Sequence, residues 1–272
     1  MKPTMKTTAR VTKPETDRWR YGERHVPHVD RNGEIYYSTV PLKKADLLFP
    51  QEGDRPVLTD DHSRDCYYLF GVLDGQARRH SGRRVFTDHR IDFQVGEVPP
   101  LGPDVLVLDG VGEWDGSLGT FHVHTMGAVA RLGIEVTSKD TRPFDLGIKV
   151  DLYFRCGVQC YAVVDRWAKR GQEIRVLAYR PGPDRFAPVP PDERGRVWLE
   201  PVGLWLGIEH RRATFYDKDG RRISAPEERA EAEARARKAE ARARKNAQRK
   251  AAALEERVRQ LEAELRRKQN GK

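Results

Sequence analysis

GIEVTSKDTRPFDLGIKVDLYFRCGVQCYAVVD, Gly133–Asp165, is the stretch on which the fold turns. Leu132, Ile134 and Val136 alternate with Gly133, Glu135 and Thr137, the two-residue period of a strand with one face buried. Glu135 therefore stands opposite an aliphatic row, on a strand whose neighbours belong in a core. Pro143 suits the first turn of a helix and Gly157 its C-terminal stop, which predicts one helix of about 14 residues with Leu146, Val150 and Tyr153 as its buried stripe. A second strand, Gln159 to Val164, ends at Asp165. Strand, helix and strand at this spacing predict a βαβ unit whose two strands lie in one sheet.

The 272 residues, 38% of them apolar, suffice for one substantial core with appendages. A net charge of +9 points at first to nucleic acid, but Pro226–Lys272 carries 15 Lys and Arg against 9 Asp and Glu, which leaves +3 on the rest. The body is nearly balanced, so charge alone does not argue for a polyanionic partner. Three cysteines, Cys66, Cys156 and Cys160, do not make a disulfide framework. No apolar run approaches the ~18 residues of a membrane span, and the N-terminus lacks the apolar centre of a signal peptide. A soluble protein of the reducing cytoplasm, with no membrane partner, is the expectation.

Residues 1–20 are rich in Lys, Arg, Thr and Pro with few large apolar groups, and read as a disordered basic tail. Tyr21 to Pro50 predicts a hairpin about Asn32-Gly33 followed by a short helix near Lys43 to Leu48. TDDHSRDCYYLFGVLDGQ, Thr59–Gln76, offers capping residues and then an apolar run, the pattern of a helix packed on a sheet. Arg78, Arg79, Arg83 and Arg84 make a basic cluster, either a phosphate-contacting patch or a solvated loop. In GPDVLVLDGV, Gly102–Val111, the unbroken Val105–Leu108 run marks a strand covered on both faces, with Asp104 at its start as a turn cap or a ligand. His122 and His124 share one strand face, without a third ligand placed nearby.

The body, residues 21–224, is completed by strands within Ile174–Tyr179, Val197–Ile208 and Ala213–Asp217. Residues 225–272 are an uninterrupted run of helix formers, a rod of roughly 67 Å. Ala247, Ala251, Leu254, Val258, Leu261 and Leu265 alternate steps of four and three, the seam of a coiled coil. A homodimer through this helix is one reading and a solitary solvated helix the other.

Asp104 before one buried strand, Glu135 on the next and Lys149 on the following helix form an ordered set. Through PDVLVLDGV and GIEVTSKDTRPFDLGIKVDLYFRCGVQCYAVVD the chain resembles the Uma-type restriction-endonuclease family, a branch of the PD-(D/E)xK nucleases, over roughly Pro41 to Gly220. The resemblance implies an α/β fold: a restriction-endonuclease-like core, a mixed central sheet flanked by helices, here with a long C-terminal coiled-coil helix. It implies Mg2+- or Mn2+-dependent hydrolysis of phosphodiester bonds in DNA. Asp104, Glu135 and Lys149 become the catalytic residues, Asp104, Glu135 and the Val136 carbonyl the metal ligands, and Ser138 and Asp145 their supports. One position departs: Thr137 stands where the superfamily motif has its lysine, so Lys149 must supply the ammonium from the helix. Lys149 also lies four residues from Asp145, and a helix-surface ion pair is the plainer reading. A nuclease fold without cleavage, serving as a nucleic-acid- or protein-binding module, is the alternative function.

Overall fold

The structure, a computed structural model, describes residues 17–114, 116, 119–166 and 173–269. Most of the basic tail read over residues 1–20 lies outside them. The chain divides into two compact units, Met1–Ile223 and Ser224–Lys272.

The first unit opens with the hairpin β1 (Gly22–Val29) and β2 (Ile35–Pro41), turning at Asn32-Gly33, where Gly33 takes a φ of 83° that favours glycine. A 3-10 turn at Lys44–Leu47 follows, and β3 (Asp54–Pro56) pairs back onto β1. Helix α1 (Asp60–Ala77) begins where the sequence predicts, with the Thr59 hydroxyl accepting from the His62 amide. Then come β4 (Arg84–Phe86), β5 (Arg90–Asp92), β6 (Val105–Asp109), β7 (Thr120–His122) and β8 (Val129–Val136). After β8 the chain forms α2 (Arg142–Asp145), α3 (Ile148–Arg155), β9 (Tyr161–Asp165), β10 (Arg175–Pro181) and β11 (Phe186–Pro188). Strands β12 (Val197–Leu199), β13 (Leu204–Glu209) and β14 (Arg212–Tyr216) close the body as an antiparallel meander.

Six strands form the central sheet in the order β11-β10-β9-β8-β6-β4. Its one parallel pair is β8 with β9, joined through α2 and α3, so the predicted βαβ unit is present and the sheet is mixed. Parity sorts the layers. Val105, Val107, Leu132, Ile134 and Val136 face a core shared with α1 and β12–β14. Leu106, Leu108, Tyr161 and Val163 face a second core with Leu152 and Tyr153 of α3. All four residues Val105–Leu108 are buried, each contributing about 1.5–3 kcal/mol by leaving water.

The single predicted helix is in fact two. Gly147 breaks it, with φ −123° and ψ −103°, and the Pro143 carbonyl oxygen lies 2.7 Å from where a Cβ would stand. A side chain there would collide with backbone, so only glycine permits the chain to fold this closely between α2 and α3. The break also changes the expected stripe: Tyr153 is fully buried, while Leu146 and Val150 are only half-buried.

The second unit is helix α4 (Pro226–Gln269), 44 residues and about 66 Å long. Leu254, Val258 and Leu261 are exposed on it. Among the described residues no helix is long and apolar enough to cross a membrane.

Candidate active site

Asp104 precedes β6 at the end of the sheet, where α1 on one face and α3 on the other both come within reach. Its neighbour across the ladder is β8. Alternate residues of β8 address β9: the Gly133 amide donates to the Cys160 carbonyl and the Thr137 amide to the Val164 carbonyl. The backbone groups of Val136 therefore turn the other way, toward β6. The β6–β8 ladder has already ended there, at Val105 opposite Ile134. The Asp104 carboxylate takes the place of the missing strand, accepting from the Val136 amide at 2.6 Å. Since amide and carbonyl of one strand residue point the same way, the Val136 carbonyl is presented beside Asp104 as well.

Glu135 projects into the α3 side and is buried. One oxygen accepts from the Tyr153 hydroxyl at 2.7 Å, and the other meets the Lys149 ammonium at 2.9 Å. Lys149 also contacts Asp145 at 2.9 Å. The four-residue spacing from Asp145 is thus real, but it is no surface pair: Lys149, Glu135 and Asp145 are all buried. The break at Gly147 puts Asp145 at the end of one helix and Lys149 in the first turn of the next, so that both address Glu135.

Such burial has consequences for protonation. Desolvation pushes the Glu135 carboxyl up to about 8, against the pull of Lys149, with Asp104 and Asp145 adding repulsion. Desolvation likewise raises Asp145, partly offset by Lys149. For Lys149 burial works against the charge, but Asp145, Glu135 and Asp104 outweigh it and hold the ammonium more firmly protonated than a free lysine. Burial would raise Asp104 too, yet His62 and Lys149 keep it below its ordinary range.

His62, in the first turn of α1, has its Nε2 3.2 Å from Asp104 Oδ1. Burial alone would lower its pKa, but Asp104 carries it to about 9, so the imidazole is cationic at neutral pH. Sequence reasoning passed over this residue. Its signal lay in the α1 pattern, where His62 and Asp65 interrupt the stripe that Cys66, Leu69, Val72 and Leu73 carry into the core. Asp65 is fully buried against Arg166 and Arg212 and ties α1 to the body.

The remaining predicted residues sit close by in different roles. Ser138 shapes the turn into α2: its amide donates to the Thr141 hydroxyl and its own hydroxyl accepts from the Thr141 amide. Thr137 points to the end of β9, where its hydroxyl accepts from the Arg166 amide and lies 3.5 Å from Asp165. Asp165 is in turn held by Arg142 and Arg175. Elsewhere, Asp74 pairs with Arg78 and Asp92 with His122. Within the basic cluster Arg83 pairs with Asp109 and Arg84 lies over the Trp114 ring, while Arg79 is exposed.

The donor set fits a hard divalent cation. Asp104, Glu135 and the Val136 carbonyl offer oxygen only, and the carboxyl groups of Asp88, Asp104, Glu135 and Asp145 outnumber the cations Lys149 and His62. Burial raises the Glu135 carboxyl against the pull of Lys149, and a bound cation would favour its ionised form.

Known proteins offer three comparisons. The sequence model of the Uma2 family, described as "Putative restriction endonuclease", matches residues 54–212, which contain every residue of the cluster. A solved structure described as a putative nuclease belonging to DUF820, from Anabaena variabilis, is similar at 16% identity and a TM-score of 0.35, over 67% of this chain and 81% of its own. No curated protein matches the chain.

Proposed function

The chain belongs to the Uma2 family of restriction-endonuclease-like nucleases, and on that premise we propose that it is a metal-dependent endonuclease hydrolysing phosphodiester bonds in DNA. The observation that carries this reading is the convergence of the half-buried Asp104 with the buried Glu135 and Lys149 around the end of the β6–β8 ladder at Val136.

Asp104, Glu135 and the Val136 carbonyl would hold Mg2+ or Mn2+, which when bound supplies positive charge beside the scissile phosphate and acidity to a water. Asp104 is ready as an anion, because His62 and the Val136 amide stabilise its charge. Glu135 must give up a proton to serve, and Tyr153 fixes its orientation meanwhile. Lys149 is too firmly protonated to act as a base; it is placed to donate a hydrogen bond and to steady negative charge developing on the phosphate. Asp145 keeps that ammonium in position. Thr137, which stands near Asp165, has no ammonium to offer for this role. Three free cysteines accord with a reducing, cytoplasmic setting. The exposed Leu254, Val258 and Leu261 support self-association through α4.

The test is nicking of supercoiled plasmid in Mg2+ or Mn2+. The wild type should cleave, chelator should abolish cleavage, and Asp104→Asn and Glu135→Gln should each reduce it by roughly a hundredfold or more. Equal activity in all three proteins would end the enzyme reading. Plasmid retardation without cleavage, unaffected by metal, would favour the binding-module alternative.

A further inference from the structure

Directly behind Asp104, on the α1 side, stands a second set of donors with a different chemistry. His62 and Cys66 lie four residues apart on one face of α1, and their ligand atoms and an Asp104 oxygen all fall within 4.8 Å of one another. Both side chains are buried, and His62 Nδ1 has no hydrogen-bond partner in that interior. A buried, unpartnered imidazole nitrogen is costly unless something occupies it.

We propose that His62, Cys66 and Asp104 form a site for a borderline-soft divalent cation, Zn2+ or Co2+, distinct from the oxygen-only site that Asp104 shares with Glu135 and Val136. One nitrogen, one sulfur and one carboxylate oxygen are the ligands such ions take, whereas Mg2+ rejects sulfur. Bonds of ~2.0–2.3 Å at tetrahedral angles put ligand atoms about 3.3–3.6 Å apart. The observed spacing therefore needs to contract by about an ångström, within the reach of side-chain rotation. Of the three ligands Asp104 is the most exposed, at 15% of its side chain, so an ion would enter past it. On binding, the Cys66 thiol gives its proton to solvent and His62 ligates through an unprotonated ring nitrogen. Asp104 would thus bridge two cation positions of unlike preference. The site rests on these three residues and not on the cleavage reading, with which it shares only Asp104.

Cobalt makes the thiolate visible. Reduced, chelator-stripped full-length protein titrated with Co2+ under anaerobic conditions should develop a near-ultraviolet thiolate-to-cobalt charge-transfer band, saturating at one ion per chain and bleached by Zn2+. The double variant Cys156→Ser/Cys160→Ser should retain the band, and Cys66→Ser should abolish it. His62→Gln should weaken Co2+ binding at least about tenfold, the scale on which even outer partners of a metal site act. Should Cys66→Ser fail to fold by circular dichroism, Cys66→Val replaces it as an apolar substitute for the core. Glu135→Gln, which removes the proposed cleavage, should leave the band unchanged, so that either idea can fail alone. No band in the wild type, a band surviving loss of Cys66, or a band lost with Cys156 and Cys160 would each overturn the proposal.

Discussion

Replacing Lys149 by methionine keeps the length of the side chain and removes its charge from between Glu135 and Asp145. Both carboxyls then lack the ammonium that each now meets at 2.9 Å, in an interior where all three groups are buried. Breaking one partner out of a buried ion pair costs about 3–5 kcal/mol. The cost must depend on pH, because the acids can escape it by holding protons. An acid whose pKa is higher folded than unfolded binds more protons in the native state, so stability falls as pH rises from the unfolded to the folded value. Glu135 is already raised to about 8 in the wild type and Asp145 is raised too; without Lys149 both go higher. While the variant holds one proton more than the wild type, its deficit grows by about 1.4 kcal/mol per pH unit. For Glu135 that growth sets in above about pH 8, where the wild type ionises it and the variant does not. Urea unfolding followed by fluorescence of the five tryptophans, in chelator so that no cation replaces the ammonium, measures it. A deficit equal at pH 7 and pH 9, or none at either, would refute the buried charge network.

Further outcomes follow from neighbouring contacts. Tyr153→Phe removes the donor to Glu135 and should cost about 1–3 kcal/mol in urea unfolding; because that donor lowers the Glu135 pKa, the acid limb of the cleavage profile should move to higher pH. Asp65→Ala strips the buried partner from Arg166 and Arg212 and should lower stability by about 3 kcal/mol, read from the same denaturant curves. A chain ending at Ser224 should keep the urea midpoint of the body and lose self-association in light scattering, since α4 is a separate compact unit.

Much of the body was legible because burial imposes periodicity. The Val105–Leu108 run could only be a strand covered on both faces, and the alternation through Val136 both placed β8 and exposed Glu135 as an anomaly. Thr59 marked the start of α1 through its capping hydroxyl. What the sequence concealed were features that depend on tertiary approach. Gly147 looks like any tolerated glycine in a helix until the Pro143 carbonyl is seen against it. His62 is 42 residues from Asp104, and only the packing of α1 on the sheet joins them. Lys149 was expected near the site through resemblance, but its double contact to Glu135 and Asp145 required the geometry of both helices.

The account rests on Glu135 exchanging its proton for a metal ion held jointly with Asp104. Calorimetric titration of the wild type with Mn2+ near pH 7, in two buffers of different ionisation enthalpy, measures that exchange directly. The predicted result is one bound ion accompanied by proton release, with binding lost in Asp104→Asn and in Glu135→Gln. Absence of binding in the wild type, binding without proton release, or unchanged affinity in both variants would contradict it.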